Sequence, residues 1–214
     1  MKTAATSLLL ALAILLMPAS ALAKSDLTKP HTVAKKAPET YKVKMDTSKG
    51  SFTIEVTRKW APNGADRFYS LVSAGFFNDV RFFRVISRFM AQFGIHGNPA
   101  VAKVWRDARI VDDPVVKSNG RGYVSFATAG PNTRTTQLFI NFRNNANLDQ
   151  SGFAPIGKVL GNGMDVVDKL YHYYGEGAPR GRGPDQGRIQ AEGNAYLKAD
   201  FKFLDYIKSA TIVK

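Results

Sequence analysis

The 214-residue sequence contains no cysteine. Thiol nucleophiles, disulfide frameworks and cysteine-ligated zinc or iron–sulfur centres are therefore excluded. The compartment stays open, because an exported protein can lack disulfides when its core suffices. Histidine is scarce: His31, His96 and His172 are the only three. They lie far apart, with no carboxylate or serine at a signature spacing, which argues against a metal centre or a catalytic triad. Asp112-Asp113-Pro114 is either an acidic pair or a turn before proline. Gly181-Arg182-Gly183 matches no phosphate-loop spacing. Hydrolase and metal chemistries find no support, and neither a metal nor a cofactor is expected.

Acidic residues are also under-represented, 17 against 30 Lys and Arg, for a formal net charge of +13. Such a balance suits nucleic acid, an anionic membrane surface or acidic polymers, or simply solubility. Lys35, Lys36, Arg180, Arg182 and Arg188 would carry a polymer-binding role. No nucleic-acid motif accompanies them, and nucleic acid is not expected as a partner.

The one long apolar run, Leu8 to Met17, follows a positive start at Lys2, ends at Pro18 and precedes Ala21-Leu22-Ala23. This is the layout of a cleavable secretory signal over 1–23, with the mature chain starting near Lys24. The run is too short for a spanning helix, which needs about 20 residues, so no stable membrane insertion is expected after cleavage. From 24 to 40 the chain is basic and punctuated by Pro30 and Pro38, and reads as a flexible linker. The remainder, 41–214, reads as one domain with 44% hydrophobic residues in the whole chain, an ordinary globular balance.

Alternation over Tyr41, Val43 and Met45, then over Phe52, Ile54 and Val56 after Thr47-Ser48-Lys49-Gly50, predicts a β-hairpin. Ala65, Phe68, Leu71 and Val72 fall at helical spacing between Pro62 and Gly75. Strands are expected at Arg81–Ile86, Met90–Gly94, Tyr123–Ala127, Gln137–Asn141, Ala154–Val159 and Lys208–Val213. Met164, Val167 and Leu170 suggest a second helix, and Ala178–Gly193 reads as a long Gly-rich loop. Many short strands with two helices predict a mainly β barrel or sandwich.

What remains is a cluster of one cation, aromatics, a methionine and an amide, Phe82-Phe83-Arg84-Val85-Ile86-Ser87-Arg88-Phe89-Met90-Ala91-Gln92-Phe93-Gly94. A second segment, Phe126-Ala127-Thr128-Ala129-Gly130-Pro131-Asn132, continues through Thr133-Arg134-Thr135-Thr136-Gln137-Leu138-Phe139-Ile140. Together they resemble the cyclophilin family, whose patterns read F-H-R-(I/V)-I-x-x-F-M-x-Q-G-G and S-M-A-N-(A/S)-G-x-N-(T/S)-x-x-S-Q-F-F-I. Gly75–Arg84, Leu148-Asp149 and Phe153–Val159 are similar to further family stretches in the same order. The likeness covers Tyr41 to Val213, nearly the whole mature chain.

The resemblance implies a closed eight-stranded antiparallel barrel capped by two helices, with the first and last strands as neighbours. It implies a peptidyl-prolyl cis/trans isomerase, here an exported bacterial member, acting as a monomer on proline-containing polypeptides in the periplasm or outside the cell. Arg84 falls on the family's catalytic arginine, with Gln92 and Phe89 beside it. Phe89, Met90 and Phe139 match the pocket for the proline ring, Ala127 and Thr128 the peptide-pairing strand, and Leu148 and Phe153 the far wall. Phe83, Phe93, Ile95, Thr128 and Phe153 depart from the commonest family residues, and Asn147 stands where many eukaryotic members carry tryptophan. A non-catalytic proline-peptide-binding chaperone is the alternative that the same groove would allow.

Overall fold

A computed structural model of the chain describes residues 25–213; the expected signal segment, 1–23, lies outside the described residues. The predicted hairpin is β1 (Thr40–Thr47) and β2 (Gly50–Thr57). Alternate residues face the core, with Val43 opposite Ile54 and Met45 opposite Phe52. Gly50 closes the turn at φ +119°, a conformation open to glycine. The first helix, α1 (Pro62–Ser73), starts at its proline, buries Ala65, Phe68, Leu71 and Val72, and stops before Gly75 at φ +73°.

Short strands follow: β3 (Val80–Arg81), β4 (Arg84–Ile86) and β5 (Met90–Phe93). After the helix α2 (Pro99–Arg106) come β6 (Tyr123–Phe126), β7 (Leu138–Asn141) and β8 (Pro155–Val159). A short helix α3 (Met164–Val167), then α4 (Gln186–Glu192) and α5 (Asn194–Asp200), precede β9 (Tyr206–Val213). Among the described residues, all nine strands form one sheet in the order β3-β9-β1-β2-β8-β6-β7-β5-β4. The expected adjacency of the first and last strands holds, with Val43 opposite Ile212.

The sheet is a curled, open half-barrel of nine strands rather than the expected closed barrel of eight. Its two edges, β3 and β4, are consecutive pieces of chain with no ladder between them. The cause is local. Phe82 and Phe83, at 0% and 2% exposure, turn their rings inward and interrupt what reads as one strand, Arg81–Ile86. Phe82 packs on Phe93 at 5.2 Å and Phe93 on Phe77 at 5.7 Å, an aromatic chain through the main core. Phe83 instead joins a second apolar cluster with Ile95, Ala102, Ile189, Tyr196, Leu197 and Leu204.

That second cluster corrects the reading of Ala178–Gly193 as loop. Its second half is α4, whose first turn is capped by Asp185 accepting the Arg188 N–H at 2.8 Å. Helix α2, also unexpected, is capped the same way by Asn98, which accepts from Ala100 N at 2.9 Å. The described part of the expected flexible linker lies against α1 and α2. Val33 and Ala37 are buried, Lys35 N and Ala37 N donate to Ser70 and Asp66, and Trp105 Nε1 donates to the Leu27 carbonyl at 2.7 Å.

The Asp112-Asp113 pair proves structural. No side chain of its own caps α1. Asp113 does so from outside, its carboxylate accepting the N–H groups of Asn63 and Gly64, each at 2.9 Å. The same carboxylate meets Arg134 Nη1 at 3.1 Å, with side chains only 1% and 3% exposed, while Asp112 takes Arg134 Nε. Arg134 belongs to the Gly-Pro-Asn segment, so this ion pair holds that segment onto α1. Removing one partner strands a buried charge. Asp113→Ala should therefore lower unfolding free energy by about 3 kcal/mol in urea titrations with an unchanged m-value. The better-solvated Asp112→Ala should cost distinctly less, and equal losses would refute the assignment.

Candidate active site

Three adjacent strands place the central residues. In β4–β5 Arg84 lies opposite Gln92, and in β5–β7 Gln92 lies opposite Phe139. Directly opposed residues share a face, so the three side chains form one row across the sheet. Period two then puts Met90 beside Gln92 on that face, while Ala91 and Phe93 point into the core. The hairpin turn between β4 and β5 carries Arg88 at φ +60° and is closed by Phe89 N donating to the Ile86 carbonyl.

Above this row lies a groove of about 450 Å³. All nine residues expected at the site line it: Arg84, Phe89, Met90, Gln92, Ala127, Thr128, Phe139, Leu148 and Phe153. Its floor is apolar, with Met90 and Phe139 buried and Phe153 meeting Phe139 edge-on at 5.5 Å. One wall is the loop after β6, where the Thr128 and Thr133 hydroxyls pair at 2.8 Å and Thr133 also takes the Ala129 N–H. Asn147, expected from the resemblance at the position of the family's tryptophan, is exposed in the 3-10 turn Ala146–Ser151 and does not line the groove.

Arg84 keeps 23% of its side chain exposed. Its Nη1 donates to Gln92 Oε1 at 3.0 Å, and Gln92 Nε2 in turn donates to Gln137 Oε1 at 2.9 Å. The other edge of the guanidinium grips Glu176, Nε to Oε1 at 2.6 Å and Nη2 to Oε2 at 2.7 Å. The Arg84 hydrogen bonds hold the Glu176 carboxyl below the usual glutamate range, against the opposing effect of burial. The arrangement is a fixed cation at the rim of a greasy hollow, with no histidine among the lining residues.

Several contributors escaped the sequence reading. Gln137, Thr133, Thr135, Ala129, Arg180 and Gln186 also line the groove. Beneath it lies a buried amide network. Asn145 Nδ2 donates to the Phe89 carbonyl at 2.9 Å and to Asn141 Oδ1 at 2.7 Å. Asn119 Nδ2 donates to the Phe153 carbonyl and to Asp149, each at 2.8 Å, and its Oδ1 accepts from Ser125 and Asn141. These bonds join the Phe89 turn to the segment bearing Leu148 and Phe153. Asparagines at 119, 141 and 145 form no recognised motif, so the sequence alone does not reveal this.

Loss of the Asn119 side chain would leave the buried Ser125 hydroxyl without its acceptor and the Phe153 carbonyl without its donor. Asn119→Ala should lower stability by about 2 kcal/mol and weaken proline-peptide binding more than it slows turnover. Denaturation together with titration of an Ala-Pro peptide checks this; unchanged affinity would detach the network from the groove.

Comparison with known proteins agrees with this geometry. The chain matches the cyclophilin type peptidyl-prolyl cis-trans isomerase/CLD family over residues 42–189. It is 38% identical over 135 residues to a peptidyl-prolyl cis-trans isomerase of Acinetobacter baylyi, covering 60% of this chain and 70% of the relative. It is 34% identical over 137 residues to peptidyl-prolyl cis-trans isomerase-like 3 of Neurospora crassa, covering 60% and 81%. Its fold is similar to the crystal structure of a Cryptosporidium parvum cyclophilin type peptidyl-prolyl cis-trans isomerase, with TM-score 0.57, 18% identity, and 82% and 98% of the two chains covered. A second structure of that protein, in the presence of the dipeptide Ala-Pro, aligns equally well, at TM-score 0.57. With its sheet, its groove and its motifs in register, the chain belongs to the cyclophilin family of peptidyl-prolyl cis/trans isomerases.

Proposed function

We propose that this enzyme is an exported member of the family that rotates X-Pro bonds in folding polypeptides, with Arg84 as the catalytic donor. The observation that carries the reading is the row Arg84–Gln92–Phe139, which sets a guanidinium beside an apolar hollow floored by Met90 and Phe139. An X-Pro bond prefers trans by only about 0.5–1 kcal/mol, yet rotation must break amide resonance worth a barrier of about 18–20 kcal/mol. No nucleophile or general base is required. The enzyme has to bind the twisted amide better than either planar form.

In the twisted state the prolyl nitrogen turns pyramidal and regains a localised lone pair. An N–H of Arg84 aimed at that lone pair is favourable only there, which is selective stabilisation of the transition state by a fixed donor. Arginine suits the role because it stays charged at every working pH and presents donors in a rigid fork. Phe89, Met90 and Phe139 seat the ring, excluding water and strengthening the field of the cation. Gln92 accepts one Arg84 N–H and steadies it, and the Ala127–Thr128 segment is placed to pair with an extended peptide. Leu148 and Phe153 bound the opposite side.

Arg84→Ala should reduce kcat/KM by about 10²- to 10³-fold, the scale seen when one preorganised donor is removed. Peptide affinity should stay within a few-fold, as NMR exchange on a short Ala-Pro peptide would read. Undiminished exchange would sink the mechanism. Support for the exported setting is the Lys2, Leu8–Met17 and Ala21-Leu22-Ala23 layout. On expression in a bacterial host the recovered envelope protein should begin at Lys24, as N-terminal sequencing would show; an intact Met1 start in the cytoplasm would contradict it.

A further inference from the structure

Arg84 has a partner that the chemistry above does not use. Of its five N–H donors, Glu176 takes one on Nε and one on Nη2, and Gln92 takes one on Nη1. One hydrogen remains on Nη2 and one on Nη1, the latter atom lying 3.9 Å from the Met90 sulfur at the floor of the hollow. Thioether sulfur is a weak acceptor, so that N–H is free for a better one.

Glu176 is mounted independently of Arg84. Its carboxylate also accepts the N–H of Gly177 at 2.8 Å, and its backbone carbonyl accepts the N–H of Gly183 at 2.8 Å. Gly175 bridges to Val85 on β4, and Gly177 bridges to Gly183. The glycines are sterically required here. A β-carbon on Gly181 would collide with the Glu176 carbonyl, and one on Gly183 would approach it to 2.8 Å. The Gly-rich stretch is therefore a tight wrap around one acidic residue, and the second apolar cluster anchors the chain that follows it.

We propose that Glu176 is a positioning residue for the isomerisation, clamping the outer edge of Arg84 so that its remaining N–H groups face the proline hollow. The inference rests on Arg84 being the donor. A bidentate carboxylate fixes both the plane and the rotation of a guanidinium, which a single amide partner such as Gln92 cannot do. Its negative charge also weakens the field of the cation, so orientation and charge oppose one another. The bonds from Gly177 and Gly183, which hold Glu176 without using the Arg84 side chain, favour orientation as the dominant effect.

The test compares catalysed cis/trans exchange and affinity for an Ala-Pro peptide in the wild type, Glu176→Ala, Glu176→Gln, Arg84→Ala and the Arg84→Ala/Glu176→Ala double variant. Glu176→Ala should slow exchange about tenfold, with affinity changed less than twofold, as expected for a donor left misaligned. Glu176→Gln, able to accept from one N–H but not to span both, should fall between. Added to Arg84→Ala, the Glu176→Ala change should do nothing more, because the two act as a unit. Gly181→Ala should reproduce part of the loss. The Arg84 Nε–H resonance, protected in the wild type, should lose its protection in Glu176→Ala.

The clamp is present above the folded-state pKa of Glu176 and lost as pH falls through it. Because that pKa is lowered, the wild-type rate should hold as pH drops through the ordinary glutamate value of about 4.3 and decline only below it. Glu176→Ala should lack that decline. Unchanged or faster exchange in Glu176→Ala, or an equal further loss in the Arg84→Ala background, would overturn the proposal while leaving Arg84 in place. A fully active Arg84→Ala would instead defeat the reading of Arg84 itself.

Discussion

The register of β4, β5 and β7 is the constraint on which the site depends. Arg84, Gln92 and Phe139 lie in one row only because the ladders pair Arg84 with Gln92 and Gln92 with Phe139. A slip of one residue would send Gln92 into the core and bring Ala91 or Phe93 to the groove. Several bonds guard against such a slip. The Phe89 carbonyl accepts from both Phe142 N and Asn145 Nδ2, tying the β4–β5 turn to the chain after β7. Ala91 and Phe93, wholly buried on the other face, hold the same register through packing.

Given that register, the chemistry follows from contrast between the two ends of the groove. The floor is closed by aromatic rings and a thioether, which exclude water and lower the local dielectric. The rim holds a cation that remains partly solvated. Full burial of the guanidinium would carry a large desolvation penalty, and full exposure would screen it. Between those limits a small change in donor angle alters transition-state stabilisation without much altering how well a peptide docks. On the proposed mechanism, binding and turnover thus fall to different side chains.

The sequence made much of this legible, and its failures have physical causes. The hairpin β1–β2 and helix α1 stand out because one face is buried and the other wet, so period and burial coincide. The nine expected groove residues were placed by motif, since Arg84, Met90 and Gln92 sit at fixed offsets on one strand pair. The open edge of the sheet was invisible: Phe82 and Phe83 prolong an apolar run in sequence while breaking it in space. Asp113 was ambiguous because the groups it satisfies lie 50 residues upstream, at Asn63, and 21 downstream, at Arg134. Helices α2 and α4 carried N-cap signals, Asn98 before Pro99 and Asp185 before Gln186, that the surrounding glycines obscured. Glu176 had no signal at all, because nothing in a Gly-rich stretch marks which residue it encloses.

The second apolar cluster gives meaning to two departures from the family pattern. Phe83 and Ile95, expected from the family pattern to be histidine and aspartate, are the part of that cluster contributed by the core sheet and its flank, and Ile189, Tyr196 and Leu197 are the part contributed by α4 and α5. The two halves are complementary surfaces of a single seam. Excising α4 and α5 would therefore leave Phe83 and Ile95 as naked apolar side chains beside β4 and β5, a sticky patch on an otherwise strongly cationic molecule. Phe83, Ile95 and the two helices thus form one packing unit, in which neither side stays covered without the other.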